Sequence, residues 1–216
     1  MSGDPERMEI NTQSKPSPLI LFVDDNPALR TIIPEVLSRC GHTVTTADGG
    51  ESCLQMLKEM KPDMILLDIM MEPMDGWDTL KAIRKVPEYQ DIPIVVLTGK
   101  VFLPSEMLKY GQDIVGWIKK PVRMEPFTTA IQSIITELEG DRRFAEESGG
   151  RTSSEERDQI ALHRRRLRVL RRIYDGIITQ CIHPNSGSHT GWEEDTKMMT
   201  DLIAGEEQWC RDYGIL

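Results

Sequence analysis

The sequence has no long hydrophobic segment and little cysteine. No stretch approaches the roughly 18 consecutive apolar residues that a membrane-spanning helix needs, and residues 1–18 are polar without a hydrophobic signal core. The four cysteines, Cys40, Cys53, Cys181 and Cys210, include no CxxC pair and are too sparse for a disulfide framework. We therefore expect a cytoplasmic protein with reduced thiols and no membrane partner.

Positive charge is also in deficit. The chain carries 26 Lys and Arg against 35 Asp and Glu, a net charge of −9 at pH 7. This balance argues against a whole-protein field that attracts nucleic acid or anionic lipid. The length of 216 residues suits one domain of ordinary size with a smaller appendage.

Residues 18–139 alternate short apolar runs with amphipathic segments. The first run, 18–23, stops at Asp24 and Asp25, as expected of a strand buried on both faces. Four further strands are predicted at 43–47, 64–67, 92–97 and 114–118. Helices are predicted after each strand, at 27–40, 51–60, 75–85, 105–110 and 125–138. Five strands alternating with five helices predict an α/β fold built on a doubly wound, five-stranded parallel sheet.

The remaining residues predict a different organisation. Residues 1–17 have few apolar groups, and we expect a flexible leader there. Residues 140–154 are dominated by Glu, Arg, Ser and Gly, which predicts a linker. Residues 155–216 contain two helical patterns, near 155–180 and 193–213, and we expect a smaller α-helical extension.

Polar side chains follow four of the predicted strands at the point where each strand ends. They are Asp24 and Asp25, Asp68, Thr98, and Lys120. In an open parallel sheet the carboxyl ends of the strands share one edge, so these side chains should meet in one pocket. Three crowded carboxylates favour a hard cation such as Mg²⁺. Asp68 is placed to act as a nucleophile toward phosphorus, Lys120 to neutralise the product, and Thr98 to donate to a phosphoryl oxygen.

Five short segments at these positions resemble the receiver domain of two-component response regulators, the CheY-like group with a flavodoxin-like fold. They are residues 22–25 (FVDD), 66–71 (LLDIMM), 74–76 (MDG), 96–99 (VLTG) and 119–121 (KKP). The resemblance covers residues 18–139, in the same order and with the same spacing.

The resemblance implies a metal-dependent phosphoacceptor. Asp68 matches the residue that accepts the phosphoryl group, and it also contributes to a site for Mg²⁺ or Mn²⁺. Asp25 matches the direct metal ligand, and Asp24 matches its partner that acts partly through water. The backbone carbonyl of Met70 matches a third metal ligand.

The resemblance also implies a conformational switch. Thr98 matches the switch hydroxyl, and Lys120 matches the lysine that pairs with the phosphoryl group. Trp117 occupies the aromatic position, usually Tyr or Phe in this family, whose rotation is coupled to the hydroxyl of Thr98.

These matches imply a function in signalling. A sensor histidine kinase would donate the phosphoryl group to Asp68, and the receiver would catalyse its own phosphorylation and dephosphorylation without being an enzyme in the usual sense. The output would be altered protein–protein contacts or homodimerisation, through the face formed by the fourth strand, the next helix and the fifth strand, or through the helical extension. An aspartyl phosphatase is a different hypothesis, but it needs a second acid two residues after Asp68, where Met70 stands.

The basic helix near 155–180 supports two interpretations. Apolar residues fall near heptad positions a and d, which predicts packing on a partner helix. They are Ile160, Leu167, Leu170, Tyr174, Ile177 and Cys181. The alternative is a DNA-binding transcription regulator whose arginine face contacts phosphates. Because two helices form no convincing helix-turn-helix and the last segment is acidic, we favour packing or dimerisation over nucleic-acid binding.

Overall fold

The computed structural model describes residues 17–99, 106, 109–148, 153–181 and 192–216. Within these ranges the chain forms one five-stranded sheet. Its strands are β1 (Leu19–Val23), β2 (Thr43–Ala47), β3 (Met64–Asp68), β4 (Ile94–Thr98) and β5 (Gly116–Lys119). All neighbouring strands are parallel and the order is β2-β1-β3-β4-β5. The predicted doubly wound parallel sheet is confirmed.

Six α-helices surround and extend this sheet in the described ranges. They are α1 (Pro27–Arg39), α2 (Gly50–Met56), α3 (Gly76–Arg84), α4 (Met124–Ser148), α5 (Ser154–Cys181) and α6 (Trp192–Asp212). Two 3₁₀ turns, Pro87–Tyr89 and Gly111–Asp113, precede β4 and β5. Most of the helix predicted at 105–110 lies outside the described residues, as does nearly all of the predicted leader; Glu106, Lys109 and Tyr110 are described and helical.

Local sequence explains where the central elements begin. Every residue of β3 and β4 is buried, as expected of apolar strands covered on both faces. Helix α1 starts at Pro27, and the side chain of Asn26 caps it by accepting a hydrogen bond from the Ala28 N–H at 2.9 Å. Asp75 caps α3 in the same way, accepting from the Asp78 N–H at 2.8 Å.

Alternate side chains of the strands enter two hydrophobic layers, one on each face of the sheet. Leu66 joins the layer covered by α1 and α4, whose fully buried members include Ile33 and Ile131. Leu67 joins the other layer, which α2 and α3 cover. That second layer also contains side chains from α5 and α6, so the C-terminal helices pack directly on the core of the sheet.

Helix α4 is longer than the sequence indicates. It was predicted to end at 138, but it continues to Ser148, so the first nine residues of the predicted linker 140–154 are helical. One face of the extra turns is buried, at Asp141 and Ala145, and the helix contacts α5. The charged composition predicted a linker here, whereas Asp141 forms ion pairs with Arg164 and Arg168 of α5. The division of the chain at residue 139 stays a prediction.

Helices α5 and α6 confirm the predicted C-terminal extension. Ile160, Leu167 and Leu170 are buried and Tyr174 is partly buried, so the face predicted to pack does pack; the side chains of Ile177 and Cys181 are outside the description. Three arginines of α5 form ion pairs with acids of α4 and α6. The pairs are Arg168 with Asp141 and Glu137, Arg172 with Glu137, and Arg171 with Glu207. Among the described residues, no helix combines the length and apolar character required to cross a bilayer.

Candidate functional site

Three carboxylates meet at the carboxyl edge of the sheet. Asp24 follows β1 directly, Asp25 comes next, and Asp68 is the last residue of the adjacent strand β3. One carboxylate oxygen from each lies within 4.8 Å of the others. Asp24 and Asp68 are buried, while Asp25 is exposed. The expectation that these acids share one pocket is confirmed.

The ammonium group of Lys120 lies between the two buried acids. Its Nζ is 2.7 Å from Asp24 Oδ2 and 2.7 Å from Asp68 Oδ2. Lys120 follows β5, and its backbone N–H donates to the Thr98 carbonyl at 2.8 Å. The long side chain therefore reaches from the edge strand of the sheet to the acids that end two inner strands. This agrees with the prediction that Lys120 shares a pocket with the acids.

Backbone groups orient both buried carboxylates. Asp24 Oδ1 accepts from the Asn26 N–H at 2.9 Å, and Asp68 Oδ1 accepts from the Met70 N–H at 3.1 Å. In each case the donor lies two residues further along the chain, so the second oxygen faces Lys120. Arg30 Nη1 also donates to the Asp24 carbonyl at 2.7 Å, which fixes the start of this loop.

The electrostatic environment favours additional positive charge. Burial raises the pKa of Asp68 and the neighbouring Asp24 adds to this, although Lys120 and the Met70 N–H act in the opposite direction. Burial alone would lower the pKa of Lys120, but its hydrogen bonds to Asp24 and Asp68 raise it above the usual value. Lys120 therefore stays protonated, and a second cation near the acids would favour the ionised form of Asp68.

The donor set fits a hard divalent cation. Three carboxylates supply oxygen ligands of the type that Mg²⁺ and Mn²⁺ prefer, and one ammonium group balances only part of their charge. Asp24, Asp25 and Asp68 are the residues that would hold the ion. Met70 lies two residues after Asp68 with an exposed side chain, and the predicted role of its carbonyl stays a prediction.

Thr98 and Trp117 lie where the sequence placed them. Thr98 is buried at the end of β4, between the strands that carry Asp68 and Lys120. Trp117 is half-buried on β5, opposite Val96 of β4, and packs against the layer under α2 and α3. Their roles as switch residues, including rotation of Trp117, stay predictions.

Gly76 is a site residue whose role the sequence did not reveal. It is the first residue of α3, and its N–H donates to the Ile69 carbonyl at 3.0 Å. A Cβ atom here would lie 2.2 Å from the Asp68 carbonyl oxygen and 2.6 Å from Ile69 Cα. Only glycine allows this approach. The available signal was the glycine directly after the helix cap Asp75, in the segment at 74–76.

Comparison with known proteins agrees with this geometry. A family model described as the response regulator receiver domain matches residues 20–132, just over half of the 216 residues. The chain belongs to the response regulator receiver family. The three acids, the threonine and the lysine described above all lie within the matched receiver domain.

Curated relatives share this receiver domain. The sensor histidine kinase CheAY of Helicobacter pylori is 35% identical over 137 residues, covering 61% of this chain and 17% of that protein. The transcriptional regulatory protein AfsQ1 of Streptomyces coelicolor is 39% identical over 118 residues, covering 55% of this chain and 51% of that protein. The chain thus spans about half or less of the length of these relatives.

Solved structures show the same fold. The chemotaxis response regulator CheY4 of Vibrio cholerae is similar with a TM-score of 0.51 and 28% sequence identity, over 55% of this chain and 98% of that chain. A response regulator receiver protein from Pseudomonas putida has a TM-score of 0.50 and 27% identity, over 54% of this chain and 97% of its own. The structural similarity covers the receiver domain.

Proposed function

We propose that this receiver accepts a phosphoryl group on Asp68 from the phosphohistidine of a sensor histidine kinase, with Mg²⁺ or Mn²⁺ held by Asp24, Asp25 and Asp68. The position of Lys120 is the observation that supports this most directly. Its ammonium lies within 2.7 Å of both buried carboxylates, where it can pair with a group that is transferred to Asp68.

In the proposed reaction, a carboxylate oxygen of Asp68 attacks phosphorus and forms an acyl phosphate. The phosphorus–nitrogen bond breaks, and the imidazole of the donor leaves with the electron pair. Lys120 neutralises negative charge on the phosphoryl oxygens, and the Thr98 hydroxyl donates a hydrogen bond to one of them. The divalent cation, when bound, supplies charge neutralisation for the same oxygens. Attack by water on phosphorus reverses the modification.

The product of this chemistry is a conformational state. A phosphoryl group changes the protein only if it interacts more favourably with one of two arrangements, which shifts their populations. We therefore infer a self-modifying switch rather than an enzyme with a released product. Met70, two residues after Asp68, offers no acid to protonate a leaving group, which argues against a phosphatase.

We propose that the output uses protein–protein contacts or dimerisation of the receiver face or the helical tail. The pairing of Arg168, Arg171 and Arg172 with acids of the same chain supports this, because the neighbouring carboxylates offset the attraction of the guanidinium groups for phosphates. AfsQ1 and other relatives are transcriptional regulators, so DNA binding is the alternative output.

Phosphorylation of the full chain tests the proposal. Wild type, Asp68→Ala and Asp158→Ala are incubated with acetyl phosphate and Mg²⁺, and intact mass and oligomer size are followed together. Asp158 is an exposed acid of α5, far along the chain from the site, and it serves as the control. We expect one phosphoryl group on wild type and Asp158→Ala and none on Asp68→Ala. Equal labelling of all three proteins would refute the assignment of Asp68.

A further inference from the structure

A cavity of about 520 Å³ lies at the amino edge of the sheet, opposite the edge that carries the three carboxylates. Its floor is formed where three strands start: Pro18 directly precedes β1, Met64 begins β3, and Pro93 directly precedes β4. Because parallel strands all start at one edge and end at the other, the length of the sheet separates this cavity from Asp68. Its volume is within the range of about 300–1,000 Å³ that is typical of small-molecule sites.

The walls of the cavity come from α4 and α5. Ile135 and Leu138 belong to α4, and Ala161 and Leu162 belong to α5. Asp141, a further residue of the α4 wall, forms ion pairs with two arginines of α5 and so holds the two helices together at this point. A chain without α5 would lack one wall of the cavity.

The floor of the cavity favours an apolar ligand. Pro18 and Pro93 have no backbone N–H, and the N–H of Leu19 already donates to Asp63 Oδ2 at 2.8 Å. The floor therefore presents no hydrogen-bond donor at these three positions. Together with the aliphatic side chains of the walls, it offers a surface against which a hydrocarbon body can be buried.

One guanidinium group of the cavity has no ionic partner within the described part of the chain. Arg165 is partly buried and forms no ion pair with any described residue. Its neighbours on α5, Arg164 and Arg168, both pair with Asp141. Burial lowers the pKa of Arg165, although Asp141 and Asp91 act in the opposite direction. Because a guanidinium stays charged in proteins, Arg165 is a partly dehydrated cation without an anion in contact.

The other charged groups of the cavity limit how much charge a ligand can carry. Lys61 and Arg142 are exposed cations, and Asp91 and Asp158 are exposed acids, so these four side chains balance. Since both acids would repel a second negative charge, a monoanion fits better than a phosphate dianion. A carboxylate also matches the planar fork of Arg165 in a bidentate arrangement. Three further acids of the lining already interact with other groups of the chain; they are Asp63, Glu139 and Asp141.

We propose that this cavity binds a monocarboxylate with an apolar body, whose carboxylate pairs with Arg165. The apolar body is buried between the strand starts of the floor and the aliphatic side chains of α4 and α5. Because the ligand contacts both helices and the sheet, its binding stabilises the packing of the C-terminal helices on the sheet. The site is separate from the phosphoryl chemistry proposed above and does not rest on it. It gives the chain a second input, which is a small molecule.

Ligands that share an octyl chain and differ in the head group test the proposal on the full wild-type chain. Octanoate, octyl phosphate, 1-octanol and octylamine are compared by calorimetric titration. We expect one octanoate per chain, bound about tenfold or more tightly than octanol or octylamine, because a charge-assisted hydrogen bond contributes about this factor. Octyl phosphate should bind more weakly than octanoate. Equal affinities for octanoate and octanol, or tighter binding of octylamine or octyl phosphate, would overturn the proposal.

Three variants separate the role of the guanidinium from that of the apolar walls. Arg165→Gln should weaken octanoate binding about tenfold or more and leave octanol binding unchanged. Arg171→Gln makes the same change of charge on the same helix, at a guanidinium outside the cavity, and should bind octanoate as wild type does. Ala161→Trp fills the cavity and should prevent binding of both ligands. Octanoate binding by Arg165→Gln with wild-type affinity would show that Arg165 is not the anion partner.

Hydrogen exchange on the wild-type chain locates the ligand without any substitution. Octanoate should slow exchange in residues 135–142 of α4 and 158–165 of α5, because binding stabilises the contact between these helices. Octanol at the same occupancy should protect the same segments. Binding of octanoate without protection of either segment places the ligand elsewhere and overturns the proposal. If the variants fail to fold, the head-group series and the exchange experiment on wild type decide.

Discussion

Arg168 and Asp141 form a bidentate ion pair that joins α5 to the extended part of α4. Nη1 donates to Oδ1 at 2.8 Å and Nη2 donates to Oδ2 at 2.5 Å. The Asp141 side chain is 5% exposed and that of Arg168 is 26% exposed. Burial lowers the pKa of Arg168, but its hydrogen bond to Asp141 raises it more, so the guanidinium stays charged.

Removing one partner of this pair should destabilise the protein. Asp141→Asn leaves Arg168 partly buried with Glu137, at 3.1 Å, as its remaining ionic partner among the residues that the structure describes. Loss of one partner from a buried ion pair costs about 3 kcal/mol. We expect the free energy of unfolding in urea to fall by about this amount. Glu207→Gln, which breaks the exposed pair with Arg171, is the control and should have a much smaller effect. Equal effects of the two substitutions would contradict a tail held by the buried pair.

Glycine at position 76 should be required both for stability and for phosphorylation. Gly76→Ala forces a Cβ atom against the backbone of Asp68, and such overpacking costs about 1–3 kcal/mol. We expect lower stability in urea and slower acyl-phosphate formation with acetyl phosphate. Gly140→Ala is the matched control, because a Cβ atom there meets nothing within 4 Å. In a helix interior that change should stabilise by about 0.5–1 kcal/mol. If Gly76→Ala were as stable as wild type and were phosphorylated at the same rate, the close approach of Gly76 to Asp68 would be unimportant.

Replacing Lys120 should change the affinity for Mg²⁺ and the extent of phosphorylation in opposite directions. Lys120→Gln removes the cation that balances Asp24 and Asp68, so Mg²⁺ should bind more tightly in calorimetric titrations. The same variant should form much less acyl phosphate, because nothing replaces the ammonium beside the phosphoryl oxygens. Lys119→Gln changes the exposed neighbouring lysine and should alter neither property. Identical Mg²⁺ affinities in the two variants would argue against the carboxylates as the metal ligands.

DNA binding by the full chain should be weak. Phosphate contacts by arginine produce an affinity that falls steeply as salt rises. Because Arg168, Arg171 and Arg172 pair with acids of the same chain, we expect little binding in mobility-shift assays at any salt concentration. Tight, salt-sensitive binding that Arg171→Gln weakens would instead support the transcription-regulator alternative.

Local and repeating features of the sequence predicted the doubly wound parallel sheet and placed the polar side chains at one edge of it, and the resemblance of five short segments identified the receiver domain. Strands β1, β3 and β4 are apolar runs because both faces of a central parallel strand are buried. Their carboxyl ends share one edge, so residues far apart in the chain, such as Asp24, Asp68 and Lys120, could be assigned to one pocket before any distance was known.

Only the tertiary structure decided which residues the C-terminal helices contact. The sequence showed a basic helix with an apolar face, but not that its arginines would pair with Glu137, Asp141 and Glu207, nor that α4 would continue to Ser148. Nor did it indicate that Trp77 would stack on Tyr110. Periodicity identifies which face of a helix is apolar, but the partner of that face depends on packing between elements distant in the chain. Those contacts form only when the whole fold is assembled.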